Sequence, residues 1–232
     1  MVNILINHIP STLLHLLAGS LIMYSFFGKK TSPFRERVKI FSLGILVLIP
    51  DIPKLTGGTI GHSLFVLPLL AFGLAFLVKK ITKEPLLKSW VATMITLGLG
   101  ALFIDLIGNG ARPLSPFNGR IVSFTIIQKE LWLIFLLLVI FFVTLLYNNK
   151  LLLIISLLIT GVLLAGKAYS KIELENRLQA KYEEETIHLL VTKPEANLGL
   201  YWNFSVVTDQ ELIKGTSPIW LNDIEINHIL DH

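Results

Sequence analysis

Two apolar runs constrain this 232-residue chain more than any other feature. LWLIFLLLVIFFVTLLY (131–147) and LLLIISLLITGVLLAGKA (151–168) are separated only by Asn148, Asn149 and Lys150. The first carries no charge, and the second none before Lys167. A bilayer core is ~30 Å thick and is crossed by about 17–25 apolar residues of helix. Four further runs have suitable length, at 11–27, 39–55, 62–78 and 89–107. The expected fold is an all-α polytopic membrane bundle of about six transmembrane helices. Composition agrees, with 53% apolar and 16% charged residues, against about 25% charged in soluble domains. A disordered chain is excluded, and an ordinary soluble globule is a poor fit. There is no cysteine, hence no disulfide and no thiolate metal site. The run at 11–27 lacks a basic leader and a small-residue cleavage site, so it reads as a retained span.

Charge divides the chain. Residues 1–166 hold 14 Lys and Arg against 5 Asp and Glu, whereas residues 167–232 hold 6 against 11. The basic residues of the first part sit in short loops, which argues for lipid and against nucleic acid as the partner. Lys29, Lys30, Arg35, Arg37 and Lys39 lie between the first two runs. Lys79, Lys80, Lys83 and Lys88 lie between the third and fourth, and Lys150 between the last two. The opposite loops hold only Lys54, Arg112, Arg120 and Lys129. The positive-inside rule places the first set in the cytoplasm and the acidic tail outside.

The tail is of another kind. KIELENRLQAKYEEE has helical spacing through Ile172, Leu174 and Leu178. Short runs at 187–192, 201–208 and 217–221 then alternate, punctuated by Pro194, Gly199, Gly215 and Pro218. This predicts a small strand-rich (α+β) water-facing module over 169–232, after a transmembrane domain over 1–168. A module this short buries little core alone and is expected to lean on the bilayer or the bundle.

Ionisable residues inside spans are costly and point to function. Here they are His15, Asp51, His62 and Asp105. Asp51 lies twelve residues beyond Lys39, roughly 18 Å of α-helix. Asp105 lies near the same end of the fourth run, His62 opens the third, and His15 lies about a turn inside the first. Four runs thus bring four polar groups to one depth, in the outer half of the bilayer. Two imidazoles and two carboxylates suit a divalent metal such as zinc or manganese. A metal with open positions activates water for hydrolysis. Asp51 and Asp105 are therefore candidate catalytic residues as well as ligands. Ser63, beside His62, is placed to bond a substrate or phosphate, and Arg112 to orient an anionic group. Gly57, Gly58, Gly61, Gly108 and Gly110 make the adjoining turns permissive. Irregular backbone at this depth is tolerated where it lines a cavity. The same residues also have a structural reading, as solvated helix ends and interhelical hydrogen bonds.

These residues resemble a pattern. HLLAG gives His15 four residues before Gly19, IPDIPK gives Pro50 and Asp51, and GHS gives His62 and Ser63. Asp105 precedes Gly110 and the Pro116-Phe117 of LSPF. TKPEANLGLYWNFSVVTD carries Pro194, Asn197 and Trp202. In this order the pieces resemble a bacterial family of membrane-bound metal-dependent hydrolases that includes LexA-binding inner-membrane proteins. The resemblance covers nearly the whole chain. It implies a multi-pass inner-membrane, metal-dependent hydrolase; an ester or phosphoester at the outer interface is the expected substrate, and the headgroup depth of the site points to a lipid-linked one. The departures bear on activity. Pro53 and Lys54 stand where the family has Asp and often His, Gly57-Gly58 stand near its His-Arg-Gly, and Ala101 replaces a His. The alternative is a catalytically decayed member serving as a membrane scaffold or partner-binding protein.

Overall fold

A computed structural model describes residues 2–56, 60–128, 131–195, 199–221 and 223–231. Gly57, Gly58, Lys129 and Asn197 lie outside the described residues. The chain is mostly helical, with a four-stranded antiparallel sheet near the C-terminus. It divides into two compact units, Met1–Phe124 with Leu131–Leu157, and Thr125–Glu130 with Leu158–His232.

In the first unit, α1 (Val2–Phe27) is followed by α2 (Phe34–Ser42), which runs directly into a 3-10 segment (Leu43–Thr56). The sequence pattern predicts an ordinary α-helical span over 39–55. The tighter winding differs from that expectation, and two of its residues, Pro50 and Pro53, cannot donate to an α-helical ladder. A 3-10 helix rises about 2.0 Å per residue, so the segment also covers more depth than an α-helix of equal length. The third expected span begins late: α3 (Leu67–Thr82) starts beyond a turn at 63–66, with Pro68 in its first turn, where a missing N–H is harmless. The fourth is composite, with α4 (Leu86–Leu97), a π-helical segment (Gly98–Phe103) and α5 (Ile104–Ile107). The fifth, α6 (Leu131–Tyr147), has the expected bounds.

Among the described residues, three helices are long and apolar enough to cross a membrane: Ile9–Phe27, Leu86–Ile107 and Lys150–Lys181, the last being α7. α6 is apolar throughout but shorter. Many outward side chains are large and apolar, among them Leu69, Phe76, Phe135 and Leu146. Lipid is a solvent that leaves such a surface unpenalised.

The basic loops gather at one end of this unit. Glu84 pairs with Lys88 at 3.0 Å and with Lys29 at 3.6 Å. The Asn148 side-chain amide donates to the Lys29 carbonyl at 3.0 Å, and the Tyr24 hydroxyl bonds Asn148. Further along α1, small residues let three segments cross. A Cβ on Gly44 would run into the backbone of Ser20, and one on Gly19 would stand 2.8 Å from the Gly44 carbonyl oxygen. Gly100 of the π segment meets Val47 at the same crossing. Close backbone approach of this kind is how membrane helices pack. It sits within about two turns of His15, Asp51 and Asp105, and so sets the spacing of the polar groups.

In the second unit the sheet order is β1 (Leu189–Pro194), β2 (Tyr201–Val207), β3 (Glu211–Pro218) and β4 (Glu225–Asp231), a simple meander. The first two strands fall on the expected runs. The third does not: SPIWL predicts a strand over 217–221, but β3 ends at Pro218, and the chain turns there with the Leu221 N–H on the Pro218 carbonyl. The helical spacing at 170–181 is not a separate helix but the continuation of α7 (Lys150–Lys181). Leu174 and Leu178, one turn apart, are fully buried, while Ile172 is exposed. They pack against Trp202, Phe204, Val206 and Ile213. In β2 the alternating residues point one way, as a strand with one covered face requires. Trp202 has no exposed surface, and its indole N–H donates to Ser170 Oγ at 3.0 Å.

At the start of this meander His188 bonds Asp209. The hydrogen bonds from His188 and Thr186 hold the Asp209 carboxyl below its usual value. A carboxyl depressed on folding contributes stability above its unfolded value, about 3.9, and loses it as pH falls through the depressed value. The pair is exposed, so the effect is small. Asp209→Asn is expected to flatten that acid limb of the sheet's unfolding curve and to lower stability slightly near neutral pH, where the contribution of the carboxylate is fully present.

Candidate metal centre

Each polar group expected at the outer depth is delivered by a different element. His15 comes from α1, Asp51 from the 3-10 segment, His62 from a short turn (Ile60–His62) after it, and Asp105 from α5. His15, His62 and Asp105 are at least 97% buried, and the Asp51 side chain is about one third exposed. Burying a carboxylate and two imidazoles among apolar helices is costly unless each finds a partner.

Those partners are one another. His62 Nε2 lies 3.0 Å from Asp105 Oδ2 and 3.4 Å from Asp51 Oδ1. Asp51, His62 and Asp105 each offer a ligand atom, and these atoms all lie within 4.8 Å of one another. The group could hold a metal ion. His15 stands on the far side of Asp105, with Nε2 3.2 Å from Oδ1. Its Nδ1 is 2.6 Å from the Gly100 carbonyl oxygen. A carbonyl only accepts, so Nδ1 carries a hydrogen and Nε2 is the nitrogen turned to Asp105. The structure therefore brings all four candidate ligands together, three as a compact group and the fourth against the other oxygen of Asp105.

Among the described residues, neither ring nitrogen of His62 has a hydrogen-bond partner, although Nε2 lies at ion-pair distance from two carboxylate oxygens. An orphaned buried nitrogen is costly and calls for an explanation. A divalent ion shared by Nε2 and the two carboxylates would satisfy Nε2. One imidazole and two carboxylates are a donor set for zinc, manganese or iron. Three protein ligands also leave positions open, as catalytic sites do.

The remaining sequence candidates lie nearby with distinct roles. The Ser63 hydroxyl is fully buried and donates to the Ser115 carbonyl. It thus ties the turn carrying His62 to the loop after α5. Leu64 N–H on the Pro113 carbonyl at 2.9 Å makes a second tie. Arg112 is half-buried in the same loop, where its carbonyl accepts from the Ser115 N–H at 3.1 Å. Gly110 N–H on the Asp105 carbonyl at 2.6 Å fixes the backbone below the carboxylate. Sequence reasoning missed two contributors, the carbonyls of Gly100 and Ser115. Backbone acceptors have no residue-type signature, though a glycine-rich stretch, Gly98 and Gly100, marks the first.

Gly61 is required by close approach. A Cβ there would collide with the Pro50 carbonyl, one residue from Asp51. Gly61→Ala is expected to spread Asp51 from His62 and to lower metal affinity by roughly ten-fold or more with every ligand in place. Titration of the apo-protein against a competing chelator measures it.

No family model, curated protein or solved structure matches this chain.

Proposed function

We propose that the chain is a membrane-embedded, metal-dependent hydrolase of the kind its motifs resemble, acting on an ester or phosphoester at the outer membrane–water interface. The observation that carries this reading is the buried Asp51–His62–Asp105 group with both His62 nitrogens unbonded. A divalent ion bound there supplies Lewis acidity toward an ester or phosphoryl oxygen. The chain's own residues do the rest. Asp51, the most exposed of the group, is the one placed to meet substrate and to take a proton from an attacking water. His15, held by the Gly100 carbonyl, fixes the orientation of Asp105. Arg112 stands in the loop tied to the His62 turn and serves an anionic group on the substrate.

Six crossings of a bacterial inner membrane complete the proposal. The gathering of the basic loops around Glu84 and Asn148 supports a cytoplasmic end, and charge bias places residues 169–232 outside. Chemistry at headgroup depth favours a lipid-linked substrate.

A second reading, a non-catalytic scaffold, is favoured by Ala101. It is fully buried in the π segment, where the resemblance implies a histidine. The two readings part on turnover. Purified protein supplied with zinc or manganese is expected to hydrolyse bilayer-embedded ester or phosphoester substrates, to stop on chelation, and to slow by about 10²-fold or more in Asp51→Asn. No bound metal and no turnover across such a panel would favour the scaffold.

A further inference from the structure

We infer that one end of the C-terminal sheet is a membrane-interface anchor whose aromatic side chains sit in the lipid headgroup layer. The inference rests on α7 crossing the bilayer, and on nothing about catalysis.

The depth of this end follows from α7. Uncharged, mostly apolar residues run from Leu151 to Gly166 between Lys150 and Lys167. Spanning ~30 Å takes about 20 residues, so counting from Lys150 brings the far boundary to the level of Ser170. Lys167 lies just inside it. Its side chain is buried along Trp202, with Nζ 5.4 Å from the ring centroid. A lysine short of the boundary lays its stem on apolar surface in this way.

The sheet is fastened to α7 at this level. Ser170 Oγ donates to the Ile219 carbonyl and accepts the Trp202 indole N–H. Ile219 N–H in turn reaches the Leu200 carbonyl at 3.0 Å. The start of β2 and the turn after β3 are thereby held at the height where the helix leaves the hydrocarbon. Large side chains face outward there. Trp220 is 57% exposed, Tyr169 of α7 is 70% exposed, and Leu200 and Tyr201 are exposed as well. Tyr201 and Trp220 contact edge to face at 6.5 Å.

Tryptophan and tyrosine concentrate at membrane interfaces because their rings are apolar and their N–H and O–H groups are polar. Exposed Lys193, Glu195, Asp223 and Glu225 flank this end, which suits headgroups and water rather than hydrocarbon. The opposite end of β2 and β3, roughly 20 Å away along the strands, carries Asp209, Gln210 and Glu211 instead. The sheet therefore stands on its aromatic end.

The test compares the full chain with Trp220→Phe in phosphatidylcholine vesicles, with and without bromine near the top of the acyl chains. The emission lost in the variant is that of Trp220, whose exposure makes the substitution mild. That component is expected to be quenched by the bromines and shielded from iodide in the water. Quenching by iodide and not by bromine overturns the anchor. Because the chain has no cysteine, Leu158→Cys carries a single nitroxide on the apolar part of α7. If that nitroxide is in hydrocarbon while Trp220 is in water, the anchor alone fails. If both are in water, the spanning of α7 fails with it.

Discussion

Asp105→Ala is expected to abolish metal binding, whereas His15→Ala is expected only to weaken it, by about 10–100-fold. The difference follows from which oxygen each group meets. Asp105 Oδ2 faces His62 and Oδ1 faces His15, so deleting the carboxylate removes a ligand and the only described link between the two histidines. Deleting His15 leaves the compact group of Asp51, His62 and Asp105 intact and frees Asp105 to turn. Asp105→Ala also removes the carboxylate that faces the buried His15 Nε2, and leaving a buried polar group without its partner costs about 1–3 kcal/mol. Its apo-form should therefore unfold at lower temperature than apo wild type. Chelator competition gives the affinities, and thermal unfolding in detergent gives the stability. Equal loss of metal in both variants would place His15 among the ligands proper.

The second large effect is expected in the C-terminal unit. Trp202→Ala should unfold the sheet. Trp202 is the largest fully buried side chain, and truncating a buried tryptophan costs about 3–5 kcal/mol. It also leaves Ser170 without the indole donor. A module this small has little core in reserve. Limited proteolysis should then cut within 189–231 while α6, in the other unit, stays protected. Trp202→Phe fills most of the space and should be milder. Unchanged protection in Trp202→Ala would mean that the sheet does not depend on its contact with Leu174 and Leu178.

Some of this architecture was readable from residues and some was not, for physical reasons. The α6 bounds coincide with the apolar run because Lys129, Glu130 and the Asn148-Asn149-Lys150 break delimit it in sequence. The run at 39–55 was long enough for a span, yet hydropathy says nothing about helix type, and its 3-10 winding emerged only with its packing across Gly19 and Ser20. α7 was read as two pieces because its composition changes at Lys167, although backbone geometry does not follow composition. β4 was missed because EINHILD alternates poorly, and its register shifts at Lys214 and Gly215. The SPIWL run was misread because Pro218 ends β3 and the following residues turn.

For the site, counting residues from the basic loops brought His15, Asp51, His62 and Asp105 to one depth. That count holds no angular information. It could not show that His15 would meet the other oxygen of Asp105, nor that the Gly100 carbonyl would choose which of its nitrogens faces that oxygen. Ser63 was read as a substrate contact from its place beside His62. In the structure its hydroxyl serves the loop that holds that histidine.

The central claim is that Asp51, His62 and Asp105 bind a divalent ion. Its most direct test is the metal content of the detergent-purified chain, prepared without a histidine tag and measured by mass spectrometry beside Asp51→Ala and Asp105→Ala. The account predicts about one zinc, manganese or iron per chain, lost in both variants. A wild-type protein that stays metal-free after incubation with zinc and manganese, or variants that keep its full complement, would contradict it.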